Sequence, residues 1–323
     1  MSKFSDSDPD AQHSPASDSG ADPRRLDAHT HRQRRRTFIK RLAFSLPVLG
    51  MSGGAGAYGY ATLLERHQVQ VEHRHITLDM GERGPRRCRV VGLTDIHFDP
   101  LYEHDYLQRC VSLANAQQPD IIVLTGDFIT KSSSRVDELA QVLGKLQARS
   151  GVYACLGNHD HWHEPQRVTA ALEQQGIRVL ANEYARIELN KNINGENAGE
   201  LILAGLQSVW GGRPDWSRTM RGLTDRDRIL MLMHEPDYVN TLRHDPRIVL
   251  QCSGHTHGGQ VRVPGWGALI LPRYGRQFQA GLYTVGNAKL YVNRGIGTVD
   301  EHVRFCCPPE IACLDLSNAR ASV

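Results

Sequence analysis

Five short apolar runs in this chain each end in side chains able to bind a metal. Residues 89–94 lead into Asp95-Ile96-His97, and 120–125 into Gly126-Asp127. Residues 151–156 lead into Gly157-Asn158-His159-Asp160, 229–233 into His234, and 248–252 into Gly254-His255-Thr256-His257. Apolar runs of this length are those of buried strands. Between them lie stretches with helical spacing. In 106–116, Leu107, Cys110, Val111 and Ala114 share one face; in 136–146, Leu139, Val142, Leu143 and Leu146 do. A third, 168–175, ends at Gly176, a residue suited to close a helix. Strands alternating with helices predict an α/β fold. In such sheets ligands collect at the carboxyl ends of strands, where all five clusters fall. After Gly258 the pattern changes to Gly and Pro punctuation with short runs at 281–285, 290–293 and 311–314. These predict strands and hairpins completing a second sheet packed on the first. Residues 81–87 are polar with Gly and Pro. The reading therefore takes 65–87 as a linker and 88–318 as the single folded domain.

The candidate metal ligands are Asp95, His97, Asp127, Asn158, His234, His255 and His257. Seven ligands are about what two cations need if one carboxylate bridges, since a carboxylate can offer an oxygen to each. A mixed carboxylate, imidazole and amide set suits Mn, Fe or Zn better than Ca. Each piece alone is weak. Asp-x-His arises by chance, Gly-Asp carries nothing, and a lone histidine such as His234 is more often a satisfied core or surface residue. The weight lies in the conjunction of five pieces, in order, each after an apolar run.

That ordered set resembles the calcineurin-like metallophosphoesterases over roughly residues 88–260. The tail, Tyr291-Val-Asn-Arg294-Gly-Ile-Gly297 with Phe305-Cys-Cys-Pro-Pro-Glu310-Ile, is similar to one branch, the exported YaeI/YkuE-like phosphodiesterases. The resemblance implies a four-layer αββα sandwich, two mixed β-sheets flanked by helices. It implies that Asp95, His97, Asp127 and His257 hold one divalent metal ion. Asp127, Asn158, His234 and His255 would hold the other, with Asp127 bridging. His159 would contact the phosphate and protonate the leaving oxygen, and Asp160 would orient His159. Paired cations clamp phosphate oxygens and generate hydroxide near neutral pH. His161, His163, Glu164 and His104 could line the substrate mouth or form a polar loop. Arg294 could reach a phosphate. Trp210, Trp216 and Trp266 could contact an acyl chain or a bilayer, or anchor loops to the core.

Charge narrows the partners. Residues 1–41 hold nine of the 38 Lys/Arg and six of the 35 Asp/Glu, which leaves 29 of each sign beyond them. The positive excess sits in the leader, so no nucleic acid partner is expected. The seven cysteines are odd in number and lack C-x-x-C spacing, which argues for small buried hydrophobes rather than a disulfide framework. Cys306 and Cys307 would face opposite sides if they lie on a strand.

Residues 1–31 read as disordered, and a basic run follows. Arg35-Arg36-x-Phe38-Ile39-Lys40 resembles a twin-arginine signal, which implies the twin-arginine export machinery as a partner. Residues 42–64 are 23 uncharged positions, enough at about 1.5 Å each to cross a bilayer. Ala55-Gly56-Ala57 has the form of a cleavage site, and five glycines between Gly50 and Gly59 weaken a membrane helix. Cleaved signal and retained anchor both stay open. Either puts the domain outside, in the periplasm or on the extracytoplasmic face of the inner membrane. The activity expected is phosphoester hydrolysis, foremost of a diester or pyrophosphate in a small or membrane-linked substrate. The alternatives are a phosphomonoesterase or protein phosphatase, and a UDP-2,3-diacylglucosamine-type pyrophosphatase of lipid A synthesis. That last chemistry faces the cytoplasm and fits poorly with export. A non-catalytic scaffold would usually have lost ligands that are all present here.

Overall fold

The apolar runs become strands because they are short, β-branched and buried on both faces, as in Ile121-Ile122-Val123-Leu124, none of whose residues is exposed. A computed structural model describes residues 51–98, 104–189 and 199–322. The signal motif and the rest of residues 1–50 lie outside the described residues. One unit runs from Ala57 to the C-terminus. Its strands in the first half are β1 (Gln70–Leu78), β2 (Arg87–Leu93), β3 (Ile121–Leu124), β4 (Val152–Ala154), β5 (Ile177–Val179), β6 (Glu183–Leu189) and β7 (Gly199–Gly205). The second half adds β8 (Ile229–Leu232), β9 (Ile248–Ser253), β10 (Arg262–Val263), β11 (Gly267–Ala268), β12 (Gly281–Val285), β13 (Ala288–Val292) and β14 (Glu310–Asn318).

Two six-stranded mixed sheets result, ordered β1-β14-β2-β3-β4-β5 and β12-β13-β9-β8-β7-β6. In the first, β2 to β5 run parallel and β14 is antiparallel to β2. In the second, β13, β9, β8 and β7 run parallel between antiparallel edges β12 and β6. Val90, Ile121 and Val123 of the first sheet meet Leu203, Leu230 and Leu250 of the second in a shared core. The alternate residues Val91, Leu93, Ile122 and Leu124 turn outward against helices His104–Ala116, Val136–Leu143 and Pro165–Gln174. The outer face of the second sheet is covered more thinly, by the short turns Pro236–Tyr238 and Val239–Leu242 over Met231, Met233 and Ile248. These are the four αββα layers that the resemblance implied.

Two expectations fail. Residues 65–87 are not a linker. Within them β1 pairs with β14 along its whole length, from Gln70 opposite Glu310 to Leu78 opposite Asn318. The Glu65 carboxylate also accepts the Cys307 N–H at 2.6 Å. The strand is hard to see in sequence because it is an edge: only Ile76 and Leu78 are buried, and its remaining side chains are polar or half-exposed. The run 311–314 does not join the second sheet. It lies within β14, between β1 and β2 of the first sheet. Periodicity marks a strand but not its neighbour, and this strand comes back across the fold from the C-terminal end. The runs at 281–285 and 290–293 do join the second sheet.

Six of the cysteines are buried. Cys306 and Cys307 lie on no strand: Cys306 is exposed at a left-handed φ of 51°, and Cys307 is buried. Among the described residues, no helix is long and apolar enough to cross a membrane.

Candidate metal centre

The five motifs meet because β2, β3 and β4 are adjacent and parallel in one sheet, and β8 and β9 in the other. The chain must then turn sharply. Asp95, His97, Asp127, His255 and His257 all have positive φ, between 46° and 72°. Such a backbone is rare outside glycine and costs on the order of 1–3 kcal/mol per residue. Five of seven ligand candidates carrying it marks a site whose geometry is imposed by its surroundings. The motif glycines permit the close approach. A Cβ on Gly157 would lie 2.2 Å from Asp127 Oδ1, and one on Gly254 2.2 Å from Asp95 Oδ2.

The side chains gather into two sets, Asp95 with His97 and His257, and Asp127 with His234 and His255. His97 Nε2 is 3.2 Å from His257 Nε2, which is 3.3 Å from Asp95 Oδ1. Asp127 Oδ2 is 3.5 Å from His97 Nε2 and 3.1 Å from His234 Nε2, so a single oxygen faces both sets. A cation with ligands at about 2.0–2.1 Å spaces tetrahedral donors at about 3.3 Å. The observed separations match. Asn158 Oδ1 is buried and has no hydrogen-bond partner among the described residues. Such an oxygen costs about 1–3 kcal/mol unless something else binds it. The donor set fits two divalent cations.

Three of the four imidazoles are aimed from behind, whereas His257 Nδ1 is buried with no hydrogen-bond partner among the described residues. His97 Nδ1 meets Thr130 Oγ1 at 3.2 Å, His234 Nδ1 meets the Thr125 carbonyl at 2.6 Å, and His255 Nε2 meets the Arg273 carbonyl at 2.7 Å. Such contacts fix the ring and its tautomer. Burial holds His97 and His255 down at about 3, and His257 well below its usual range. All three are therefore neutral, with a lone pair to give. Burial also pushes the Asp95 carboxyl up to about 7, against the pull of His234. Burial would raise Asp127 as well, but His234, His159 and His97 outweigh it and hold that carboxyl well below normal.

His159 stands at the edge of the cluster. Its backbone N–H donates to Asp127 Oδ1 (2.9 Å), and its ring Nδ1 donates to the Thr130 carbonyl (2.8 Å). Nε2 is the atom left for chemistry. Its ring packs edge-on against His97 at 4.9 Å, and His97, Asp127 and His159 form a third close set.

Asp160 does not orient His159. Its carboxylate accepts four backbone N–H groups: Asp127 (2.8 Å), Gly157 (2.9 Å), Phe128 (2.9 Å) and Ile129 (3.2 Å). The reason is helical geometry: Asp160 follows His159 in the first turn of helix Asn158–Trp162, and consecutive helical residues do not face each other. The Asp160 side chain folds back to brace the Asp127 turn, and a main-chain carbonyl holds the histidine.

The secondary candidates separate. Arg294 is ion-paired to Glu72 (3.0 Å) and Glu310 (2.8 Å), which commits its guanidinium to the structure rather than to a phosphate. Trp216 anchors its loop through Nε1 to Asp245 (3.2 Å). Trp210 does reach the site: its ring meets His255 at 5.7 Å and Trp162 at 4.9 Å, and Trp162 meets His159 at 5.0 Å. His161 packs beneath the loop at Gly212, and burial lowers it to about 4. His163 is half-buried and lowered chiefly by burial, then by His159. Glu164 accepts from Ser133 at the start of helix Pro165–Gln174. His104 pairs with Asp105 at 3.4 Å.

Sequence reasoning missed Thr125, Thr130 and Arg273, which act through carbonyls or a small hydroxyl and leave no signature. It also missed two buried charges. Glu235 accepts the Ser208 hydroxyl and the N–H groups of Val209 and Trp210, fixing the loop that carries Trp210. Its place directly after the run ending at His234 was the available signal. Arg304, fully buried, donates to the carbonyls of Arg294, Gly295, Gly297 and Cys307.

The family model for the calcineurin-like phosphoesterases matches residues 88–259. The metallophosphoesterase YkuE of Bacillus subtilis is 32% identical over 287 residues, 88% of this chain and 98% of that protein. The phosphodiesterase YaeI of Escherichia coli is 27% identical over 286 residues, 87% of this chain and 98% of its own. A transmembrane protein with a metallophosphoesterase domain from Danio rerio is 31% identical over 242 residues, 72% of this chain and 53% of that protein.

Proposed function

The chain belongs to the calcineurin-like phosphoesterase family and hydrolyses phosphoester bonds, and on that premise we propose a two-metal phosphodiesterase or pyrophosphatase acting on a small or membrane-linked substrate. The observation that carries the two-metal reading is Asp127 Oδ2, which faces both ligand sets at 3.1 and 3.5 Å. Asp95, His97, Asp127 and His257 would hold one cation, and Asp127, Asn158, His234 and His255 would hold the other. When bound, such a pair supplies charge to offset the phosphoryl oxygens and an activated water. The chain does the rest. Asp127 keeps the sets together, and its Oδ1 pins the His159 backbone. Thr130 turns His159 so that Nε2 can deliver a proton to the leaving oxygen, help worth about 10²–10⁴-fold. Asp160 acts one step removed, by holding the Asp127 turn. The similarity to a phosphodiesterase favours diesters over monoesters. Export through the twin-arginine machinery to the periplasmic side belongs to the same proposal and rests on Arg35-Arg36 and the apolar stretch after it.

The test joins metal content to hydrolysis. The protein is loaded with manganese, iron or zinc, its bound metal counted, and matched aryl phosphate mono- and diesters compared. Two metals per chain with faster diester cleavage is the expected result. One metal per chain at full activity would remove the bridging role, and faster monoester cleavage would turn the assignment to a phosphomonoesterase.

A further inference from the structure

The loop that follows His257 carries an apolar tip that the hydrolytic centre does not use. β10 and β11 pair Arg262 with Ala268 and Val263 with Gly267, which projects the turn between them. Trp266 at that turn is 89% exposed, and Val263, Leu269 and Ile270 are exposed beside it. Large apolar side chains grouped this way on a surface mark an interaction site. From Gln260 to Gly281 the chain contains three arginines and no Asp or Glu. Arg273 and Arg276 are exposed just beyond the aliphatic pair. An indole at the tip, aliphatic neighbours and a cationic margin are what an anionic lipid interface selects.

A second apolar element hangs from the same place. The helical turn Tyr60–Leu64 exposes Tyr60, Leu63 and Leu64. Its Ala61 carbonyl accepts from the Arg304 N–H (3.1 Å), and the next residue, Phe305, accepts from Arg262 N–H at the foot of the hairpin (2.9 Å). Two exposed apolar segments are thus tied to consecutive residues, and the turn Tyr60–Leu64 is the end of the uncharged stretch 42–64.

The same loop leads back to the metal ligands. Gly259, at φ 87°, lies against Ala268, and the Arg273 carbonyl takes the Nε2 of His255.

We propose that hairpin 262–270 is a membrane-docking wedge that seats the metal centre on the surface of an anionic bilayer. The hydrolase reading supplies the consequence, a phosphoester presented at a lipid surface, but the docking itself does not depend on catalysis.

Four tryptophans make this readable by fluorescence. The full chain is added to vesicles of brominated phosphatidylglycerol, or of brominated phosphatidylcholine, and tryptophan quenching is compared between wild type and Trp266→Phe. The wild type is expected to be quenched on the anionic vesicles and much less on the zwitterionic ones. Trp266→Phe should lose that quenched component while hydrolysing a soluble aryl diester at the wild-type rate. A triple Val263→Ser, Leu269→Ser, Ile270→Ser variant should bind anionic vesicles roughly ten-fold more weakly. Quenching that is equal in wild type and Trp266→Phe, or absent on anionic vesicles, overturns the proposal. So does a lipid-free dimer that sedimentation shows to depend on Trp266, because the tip would then be a protein contact. If hydrolysis of every diester fails while Trp266 is still quenched, the hydrolase reading falls and the docking surface stands.

Discussion

Asp127 is engaged through every polar group it has. Oδ2 faces His97 and His234, Oδ1 accepts from the His159 backbone, its own N–H is held by Asp160, and its carbonyl accepts from His97 N–H. Asp127→Asn should therefore lower occupancy at both cation sites and abolish turnover, whereas His159→Ala should keep both metals. The histidine variant should slow by about 10²–10⁴-fold, most for poor leaving groups, because a good leaving group needs no proton. Metal counting beside a leaving-group series checks both; loss of one metal on His159→Ala would make it a ligand rather than an acid. The residues themselves were legible because each motif follows an apolar run. The hydrogen-bond partner of His159 was not. Sequence offers the neighbouring carboxylate, but the helix turns Asp160 away and puts a Thr130 carbonyl there, which no residue type announces.

Strands behave differently at the edge and at the centre. β3 and β9 are buried throughout and stand out as apolar runs, whereas β1 buries only Ile76 and Leu78. Yet β1 covers β14, whose nine residues would otherwise form an open edge. A chain begun at Met80 should lose the packing of those two residues, each worth about 2–5 kcal/mol, and should aggregate beside one begun at Ala57. Comparing soluble yield and thermal midpoint measures this. If the midpoint stays within a few degrees, β1 is dispensable and the folded unit begins near β2 after all.

For the molecule as a whole, the fold brings seven ligand candidates from two sheets to one rim and holds several of them in costly conformations. Binding of cations by the folded state alone should then stabilise it. At a metal concentration 100-fold above the dissociation constant the gain is about 2.7 kcal/mol per site, so about 5 kcal/mol for the pair, or roughly 10–20 °C for a domain of this size. Chelation should lower the thermal midpoint by that amount in the wild type and much less in Asp127→Asn; a midpoint indifferent to chelator in the wild type would count against a resident metal pair.

The resemblance to a known family implied the kind of reaction, and the sequence by itself determined the α/β class and the ligand candidates. Those depend on residue type and local period, and both can be read along a line. Tertiary structure alone decided that Asp160 braces a turn, that Arg294 is spent on Glu72 and Glu310, and that β14 lies between β1 and β2. It also decided that Trp210 borders the site while Trp266 stands in the open. Each of these is a contact between segments far apart in the chain, set by how two sheets pack, and no local pattern encodes it.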